Sequence, residues 1–353
     1  MIQRISTINE FLALKAEWER LYTASGISNL FLTHEWLSNW LVHFGKNEWI
    51  VLLEREGQNS NILSLVLFKV SNGHLTFIGN QHSNFPGFLT YNGKTSPVRT
   101  IMEYLCNKEC CKSLALIDSP DEPRFEQELR DVSEDRWIII KENCKIMRSI
   151  NLSGDFEAYL GGREKKVRHE LKRKARKLQE SGEIMLRCFQ DCSDADVLFG
   201  TIGDIEKDSW KFKSGTAIIS SENEVSFYKN LYLNYAKSSN ARAYVLDLNR
   251  VPLAYVIGVL FDGTFYALKT SYKESYKTLS PGTTLFVKVI ETIMGQNSAV
   301  KKIELLGEDA RWKEELSTDR KGLCTYHLFL KCFQNFCYLV AQKFSKEIRE
   351  LLK

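Results

Sequence analysis

The chain has 353 residues, 44% of them apolar and 26% charged, proportions that fit a soluble globular protein with more than one core. No run approaches the roughly eighteen apolar residues a membrane helix needs, and nine cysteines without a CxxC pair give no metal-ligand spacing. The formal charge of +4 is unevenly placed: REKKVRHELKRKARKL (Arg163–Leu178) holds nine Lys or Arg against Glu164 and Glu170, so this segment carries +7 and the rest of the chain −3.

From the start, MIQRISTINEFLALKAEWERL reads as a strand and an amphipathic helix over Thr7–Ala24. It lacks the apolar core and small-residue cleavage site of a signal peptide. Thr33 caps a helix whose Trp36, Leu37, Trp40, Leu41 and Phe44 share a face, and Gly45 stops it. Strands follow at Glu48–Glu56, Ile62–Val70 and His74–Ile78, then a loop, a helix near Pro97–Cys111 and a buried strand at Leu114–Asp118. The cysteines, with Cys106, Cys110 and Cys111 clustered and no histidine near them, read as reduced thiols of a cytosolic protein. A cytoplasmic protein without a metal is therefore expected.

A second unit begins near Asn151, giving expected domains of 1–150 and 151–353. It opens with a short helix at Asp155–Leu160, the basic helix, a strand at Glu183–Phe189, and helices near Asp194–Lys211 and Glu222–Ala236. Strands at Arg242–Leu248, Pro252–Phe261 and Thr264–Tyr272 form a meander, with Asp262-Gly263 signalling a type I′ turn. A long helix starts at Gly282, two strands follow, and a last helix carries Phe333, Cys337, Val340, Phe344 and Ile348 at helical spacing. Both halves share this rough order without a residue-level repeat. The class is α/β with mixed sheets, not the regular alternation of a doubly wound fold.

The junction Ser280-Pro281-Gly282-Thr283-Thr284 stands before an apolar stripe of Leu285, Val289, Ile290 and Ile293. A strand handing over to a helix through small residues leaves first-turn N–H groups available to an anion. No GxxxxGK[ST] or GxGxxG accompanies it, which removes a P-loop hydrolase and a dinucleotide-binding fingerprint.

Five segments in order, FLTHEWLSNWLVHFG, VRHELKRKARKLQESGEI, EKDSWK, PLAYVIGVLFDGTFYALKTSYKESYKTLSPGTTL and LLGEDARWKEEL, resemble the GNAT-type acyltransferases of the CelD-like, cellulose-biosynthesis-associated family, relatives of the Fem-type peptidyl transferases. The resemblance runs from Phe31 to Leu316. It implies two tandem GNAT-like domains, the first shaping the acceptor site and the second holding the donor. It also implies transfer of an acyl group from acyl-CoA to an amine, with the donor pyrophosphate at Ser280–Thr284. The usual GNAT loop, Gln/Arg-x-x-Gly-x-Gly/Ala, is replaced here by Ser-Pro-Gly-Thr-Thr, so the donor stays open among CoA, an acyl carrier protein and an aminoacyl-tRNA.

Such a transfer needs a deprotonated amine, a polarised carbonyl, alignment, and a proton for the departing thiolate. The stretch Asp204–Lys211 supplies Glu206 or Asp208 as proton acceptor, Trp210 as a wall, and Lys211. Strict alternation along YALKTSY puts Tyr266, Leu268 and Thr270 on one face and Ala267, Lys269 and Ser271 on the other. Lys269 in so apolar a strand is a candidate partner for a carboxylate or phosphate. Tyr272 and Tyr276 are candidate proton donors, and Asp309, Trp312 and Lys313 follow a buried strand at a position suited to a site. The basic helix at 163–178 presents a mostly cationic circumference to solvent, to tRNA, or to an anionic membrane. The acceptor is a small-molecule or cell-envelope amine.

Overall fold

The structure is a computed structural model that describes residues 1–45, 48–56, 61–78, 83–93, 96–107, 111–133, 136–296 and 299–331. The chain divides into two compact units, Met1–Lys145 together with the segment beginning at Gly322, and Ile146–Lys321.

The first unit starts with β1 (Ile2–Ile5), α1 (Ile8–Ala13), α2 (Lys15–Ser25) and α3 (His34–Phe44). The helix expected over 7–24 is thus two, parted at Leu14. Thr7 closes a capping box with Glu10, and Thr33 Oγ1 accepts from the Trp36 N–H at 3.2 Å. Next come β2 (Trp49–Arg55), β3 (Ile62–Ser71), β4 (His74–Phe77), the short β5 (Leu89–Thr90), α4 (Ser96–Asn107), β6 (Ser113–Pro120), α5 (Pro123–Ser133) and β7 (Trp137–Asn151), which carries the chain into the second unit. Ile101, Met102 and Leu105 of α4 pack with Phe68, Phe77 and Leu114 of the sheet.

The second unit continues with α6 (Phe156–Gly161), α7 (Lys165–Gln179), β8 (Ile184–Phe189), α8 (Ala195–Lys207), α9 (Trp210–Lys213) and α10 (Glu222–Ala236). Then follow β9 (Ala241–Leu248), β10 (Val251–Phe261), β11 (Thr264–Tyr272), α11 (Pro281–Gly295), β12 (Lys302–Glu304), α12 (Arg311–Leu316) and β13 (Asp319–Leu330). The helix expected over 194–211 breaks because Ser209 caps a new one, its Oγ accepting from the Phe212 N–H at 3.2 Å. Leu285, Phe286, Val289, Ile290 and Ile293 of α11 fill the core with Leu171 and Leu178 of α7 and with Val256 and Phe265 of the sheet.

The two units repeat one ladder. In the first, β1, β2, β3 and β4 pair antiparallel in turn, β6 runs parallel to β4, and β13 antiparallel to β6. In the second, β8, β9, β10 and β11 pair antiparallel, β12 runs parallel to β11, and β7 antiparallel to β12. The mixed α/β class is therefore what the chain adopts. Its repetition is structural, without a sequence echo. Because β13 pairs with β6 from Leu323 onward, residues 322–331 group with the first unit, whereas the expected boundary put them in the second domain. The expected closing helix with Phe333, Cys337, Val340, Phe344 and Ile348 lies outside the described residues, as does Cys110.

One cysteine expectation is corrected. Cys144 and Cys324, 180 positions apart, are joined by a 2.10 Å S–S bond in the first unit. They sit on the long strands β7 and β13, whose proximity no local pattern reveals. Asp121 lies beside them, but two sulfurs bonded to each other are not the thiolates a metal needs. Cys106, Cys111, Cys188 and Cys192 are not in disulfides. Among the described residues no helix is long and apolar enough to cross a membrane.

Candidate active site

A β-bulge in β11 organises the polar interior of the second unit. Ala267 pairs with Gly258, but Lys269 pairs with Ile257, so Leu268 is the extra residue. Bulges re-aim side chains and are common beside active sites. Here the bulge overturns strict alternation. Ala267 packs in the core shared with α11, whereas the Lys269 ammonium donates to the Thr216 carbonyl at 3.3 Å and stands 5.7 Å from the centre of the Tyr228 ring on α10. Ala267 and Lys269 therefore face opposite ways.

Lys269 belongs to a buried charged cluster. Glu206, with no exposed surface, accepts from the Tyr255 hydroxyl at 2.5 Å and from the Ile219 N–H at 3.0 Å. Tyr255 pairs across the ladder with Ser271, whose buried hydroxyl has no hydrogen-bond partner. Lys211 is half-buried, and its ammonium donates to the Thr270 carbonyl at 2.6 Å. Burial of that ammonium, reinforced by the positive charges of Lys269 and Lys313 and opposed by Glu206, pulls its pKa down to about 8. Burial also lowers Lys269, while Glu224 and Glu206 oppose the shift. Tyr255 and Tyr228 are pushed well up, first by burial and then by the nearby carboxylates.

The other sequence candidates are placed differently. Trp210 is 50% exposed, with the Lys211 ammonium 5.9 Å from its ring centre. Asp208 holds the 3-10 turn at Glu274–Leu279, its carboxylate accepting from the Ser275 N–H at 3.3 Å and its carbonyl from the Glu274 N–H at 2.6 Å. Trp312 stacks obliquely on Phe286 at 4.7 Å between ring centres. The buried Lys313 donates to the carbonyls of Leu306 and, at 2.6 Å, Glu308, and so ties down the loop after β12. Asp309 is engaged by Arg148 at 2.6 Å. Tyr276 packs against the apolar core.

At the start of α11, Ser280 adopts left-handed backbone angles (φ 54°) and makes no side-chain cap. The first-turn backbone bond is from the Thr284 N–H to the Ser280 carbonyl at 3.1 Å. The Thr284 hydroxyl is buried without a hydrogen-bond partner. Gly282 lies against the Tyr272 ring, where a Cβ would meet Cδ1 at 3.3 Å. Burial pushes the Tyr272 phenol up, with Glu274 adding to the shift. The large cavity of the unit is lined by α7, α12 and their flanks and not by residues 280–284.

Sequence reading missed Tyr255, Tyr228, Glu224 and Ser271. The first three sit inside runs that carry ordinary strand or helix patterns, and only the fold brings them to Glu206 and Lys269.

Residues 165–314 match the family model described as Acetyltransferase (GNAT) domain. The second unit has a GNAT-type acyltransferase fold. A conserved protein of unknown function from Bacteroides thetaiotaomicron VPI-5482 superposes with a TM-score of 0.59 at 12% identity, covering 94% of this chain and 100% of that one. FemX superposes at 0.57 with 8% identity, over 96% and 99% of the two chains. The C-terminal domain (DUF2156) of an Agrobacterium fabrum protein named as a lysylphosphatidylglycerol synthetase superposes at 0.56 with 9% identity, over 95% and 96%. No curated protein matches the sequence.

Proposed function

We propose that the second unit is an N-acyltransferase, moving an acyl group from acyl-CoA or a similar thioester to an amine acceptor of the cell envelope or of small-molecule metabolism. The observation that carries this reading is the Glu206–Tyr255–Lys269–Lys211 cluster at the β11 bulge, within the segment that matches the GNAT domain. The motifs shared with CelD-like proteins add to it, and a cytoplasmic location goes with a CoA donor.

In the proposed reaction the acceptor nitrogen attacks the thioester carbon, a C–N bond forms, the C–S bond breaks, and the thiolate leaves. The nitrogen's proton passes toward Glu206 through the Tyr255 hydroxyl, and Lys211 and Lys269 offer positive charge to the oxygen that becomes negative. Trp210 borders the acceptor, Trp312 and Lys313 hold the loop beneath it, and Tyr272 returns a proton to the thiolate. Donor phosphate rests on the amides behind Ser280 and Pro281, at Gly282, Thr283 and Thr284. Isothermal titration with acetyl-CoA and longer acyl-CoAs is the test: a binding isotherm supports the reading, and folded protein that gives no heat with any of them removes it.

A second reading, in which the donor is an aminoacyl-tRNA, draws on the fold shared with FemX. It requires tRNA binding that weakens steeply with salt and is lost on neutralising Lys172, Arg173 and Lys174. An acyl carrier protein as donor requires binding of the carrier instead. The remaining alternative, a scaffold that holds anionic membrane through residues 163–178, requires vesicle binding that survives loss of Lys269.

A further inference from the structure

The second unit contains a cavity of about 1310 Å³ that shares no lining residue with the buried cluster. It is formed by α7, α12 and the first residues of β13, and eight Lys or Arg line it against five Asp or Glu, an excess of three positive charges. Much of the lining is already neutralised in place. Arg173 pairs with Glu170 at 2.7 Å, Arg311 with Glu315 at 3.1 Å, and Arg148 with Asp309 at 2.6 Å. Lys166, Lys172 and Arg320 line the cavity, are exposed, and have no ion pair among the described residues. At one wall Arg163 is held by the Ser317 carbonyl and lies 5.4 Å from the Tyr159 ring centre. Its Nε is buried with no hydrogen-bond partner. An orphan buried guanidinium N–H is costly until an acceptor reaches it.

From this arrangement we infer that the cavity is a binding site for a compact organic diphosphate, separate from the acyl-transfer centre. Lys166, Lys172, Arg320 and the orphan Arg163 N–H outnumber the two lining carboxylates without an ion pair among the described residues, Glu164 and Asp319, so the site favours an anion, and guanidinium forks suit phosphoryl oxygens. The volume exceeds that of a bare phosphate and leaves room for an organic group beside it. The five carboxylates in the lining oppose a long polyanion. This inference does not rest on the acyl-transfer reading.

The test is isothermal titration of the full chain at low salt with two probes, inorganic pyrophosphate and ADP, each with and without acetyl-CoA at high concentration. The expected result is one binding event that persists in the presence of acetyl-CoA. It weakens at least tenfold in the double variant Lys172→Glu/Arg320→Glu, whose thermal melting is unchanged because both side chains are exposed. Lys166→Gln/Lys172→Gln gives the same loss in milder form and serves if the charge reversal unfolds the unit. The proposal is overturned if neither probe binds, if acetyl-CoA displaces them, or if the variants bind as the parent does. It is equally overturned if a short single-stranded RNA or vesicles rich in anionic lipid bind in the cavity while pyrophosphate and ADP do not. Failure of acetyl-CoA to bind, by contrast, bears on the acyl-transfer reading alone.

Discussion

Tyr255 donates its hydroxyl hydrogen to Glu206 at 2.5 Å, and both side chains are without exposed surface. The bond is charge-assisted and sits in a low-dielectric interior, so it is shorter and stronger than a neutral one. The remaining oxygen of Glu206 is met by the Ile219 N–H, so this buried carboxylate is held from two elements.

Tyr255→Phe deletes that donor and leaves a buried carboxylate oxygen without its partner. Unfolding free energy is expected to fall by about 1–3 kcal/mol. If the hydroxyl also relays the acceptor's proton, kcat falls while the Kd for acetyl-CoA stays put. Denaturant melts and steady-state kinetics on one preparation separate the two effects; unchanged stability would mean that the hydrogen bond contributes nothing net.

The lowered pKa of Lys211 sets a pH dependence whose sign follows from linkage. Its pKa is about 8 in the folded chain against an ordinary 10.5. Below pH 8 both states hold the proton, and the cost of burying the charge stands in full. Between about 8 and 10.5 the unfolded chain binds a proton that the native state has released, so native stability rises with pH across this window. Relative to Lys211→Met, the parent protein is therefore expected to gain stability from pH 8 upward, an effect that thermal melts at closely spaced pH values resolve. A parallel pair of profiles would mean that the ammonium is solvated.

Much of this frame is legible in the sequence. The Thr33 cap, the Asp262-Gly263 turn with φ of 45° and 70°, and the Pro281 helix start each rest on local stereochemistry that neighbouring residues determine. Lys269 stands out because charge in an apolar strand is costly to bury, and Glu206 and Lys211 because they belong to a dense mix of carboxylates, an aromatic and a lysine. What stays hidden is nonlocal. The bulge at Leu268 depends on how β10 and β11 register, so alternation alone puts Ala267 and Lys269 on the same face. Tyr255 reads as one more apolar strand residue until Glu206 is placed beside it. The break at Ser209 is a cap whose acceptor role shows only once α9 exists, and Asp208 is diverted to the turn at 274–279 by contacts over sixty residues away in the chain.

The start of α11 gives a prediction of bounded size. An anion on a helix N-terminus gains about 0.3–1 kcal/mol, or about 2 when partly buried, so losing it cannot cost more than roughly thirtyfold in affinity. Gly282→Val brings a branched side chain against Tyr272 and over the first-turn amides. The acetyl-CoA Kd is expected to rise by up to roughly thirtyfold. A donor that binds elsewhere leaves the Kd as it was.

The disulfide between Cys144 and Cys324 closes a loop of 180 residues, and restricting so long a segment in the unfolded chain typically stabilises by about 2–4 kcal/mol. Cys144→Ser is expected to melt earlier than the oxidised parent, and dithiothreitol to lower the parent to the variant's value. Intact mass before and after reduction, with alkylation, reports whether the bond is present. Equal melting temperatures in all three samples would show that the bridge does not constrain the unfolded chain.

Lys313 distinguishes a structural clamp from a charge that serves the reaction. Its ammonium meets the carbonyls of Leu306 and Glu308, in a loop where Leu306 has φ 39° and Gly307 φ 65°, a left-handed pair that holds only while something satisfies those carbonyls. Lys313→Met keeps the length of the side chain and removes the donors, so the loop loses its tie and the unit is expected to lose about 1–3 kcal/mol. The ammonium also adds to the field that depresses Lys211. The same variant is thus expected to shift the alkaline rise in stability toward higher pH, because Lys211 holds its proton longer once a neighbouring positive charge is gone. A purely mechanical clamp would lower stability at every pH and leave the position of that rise unmoved.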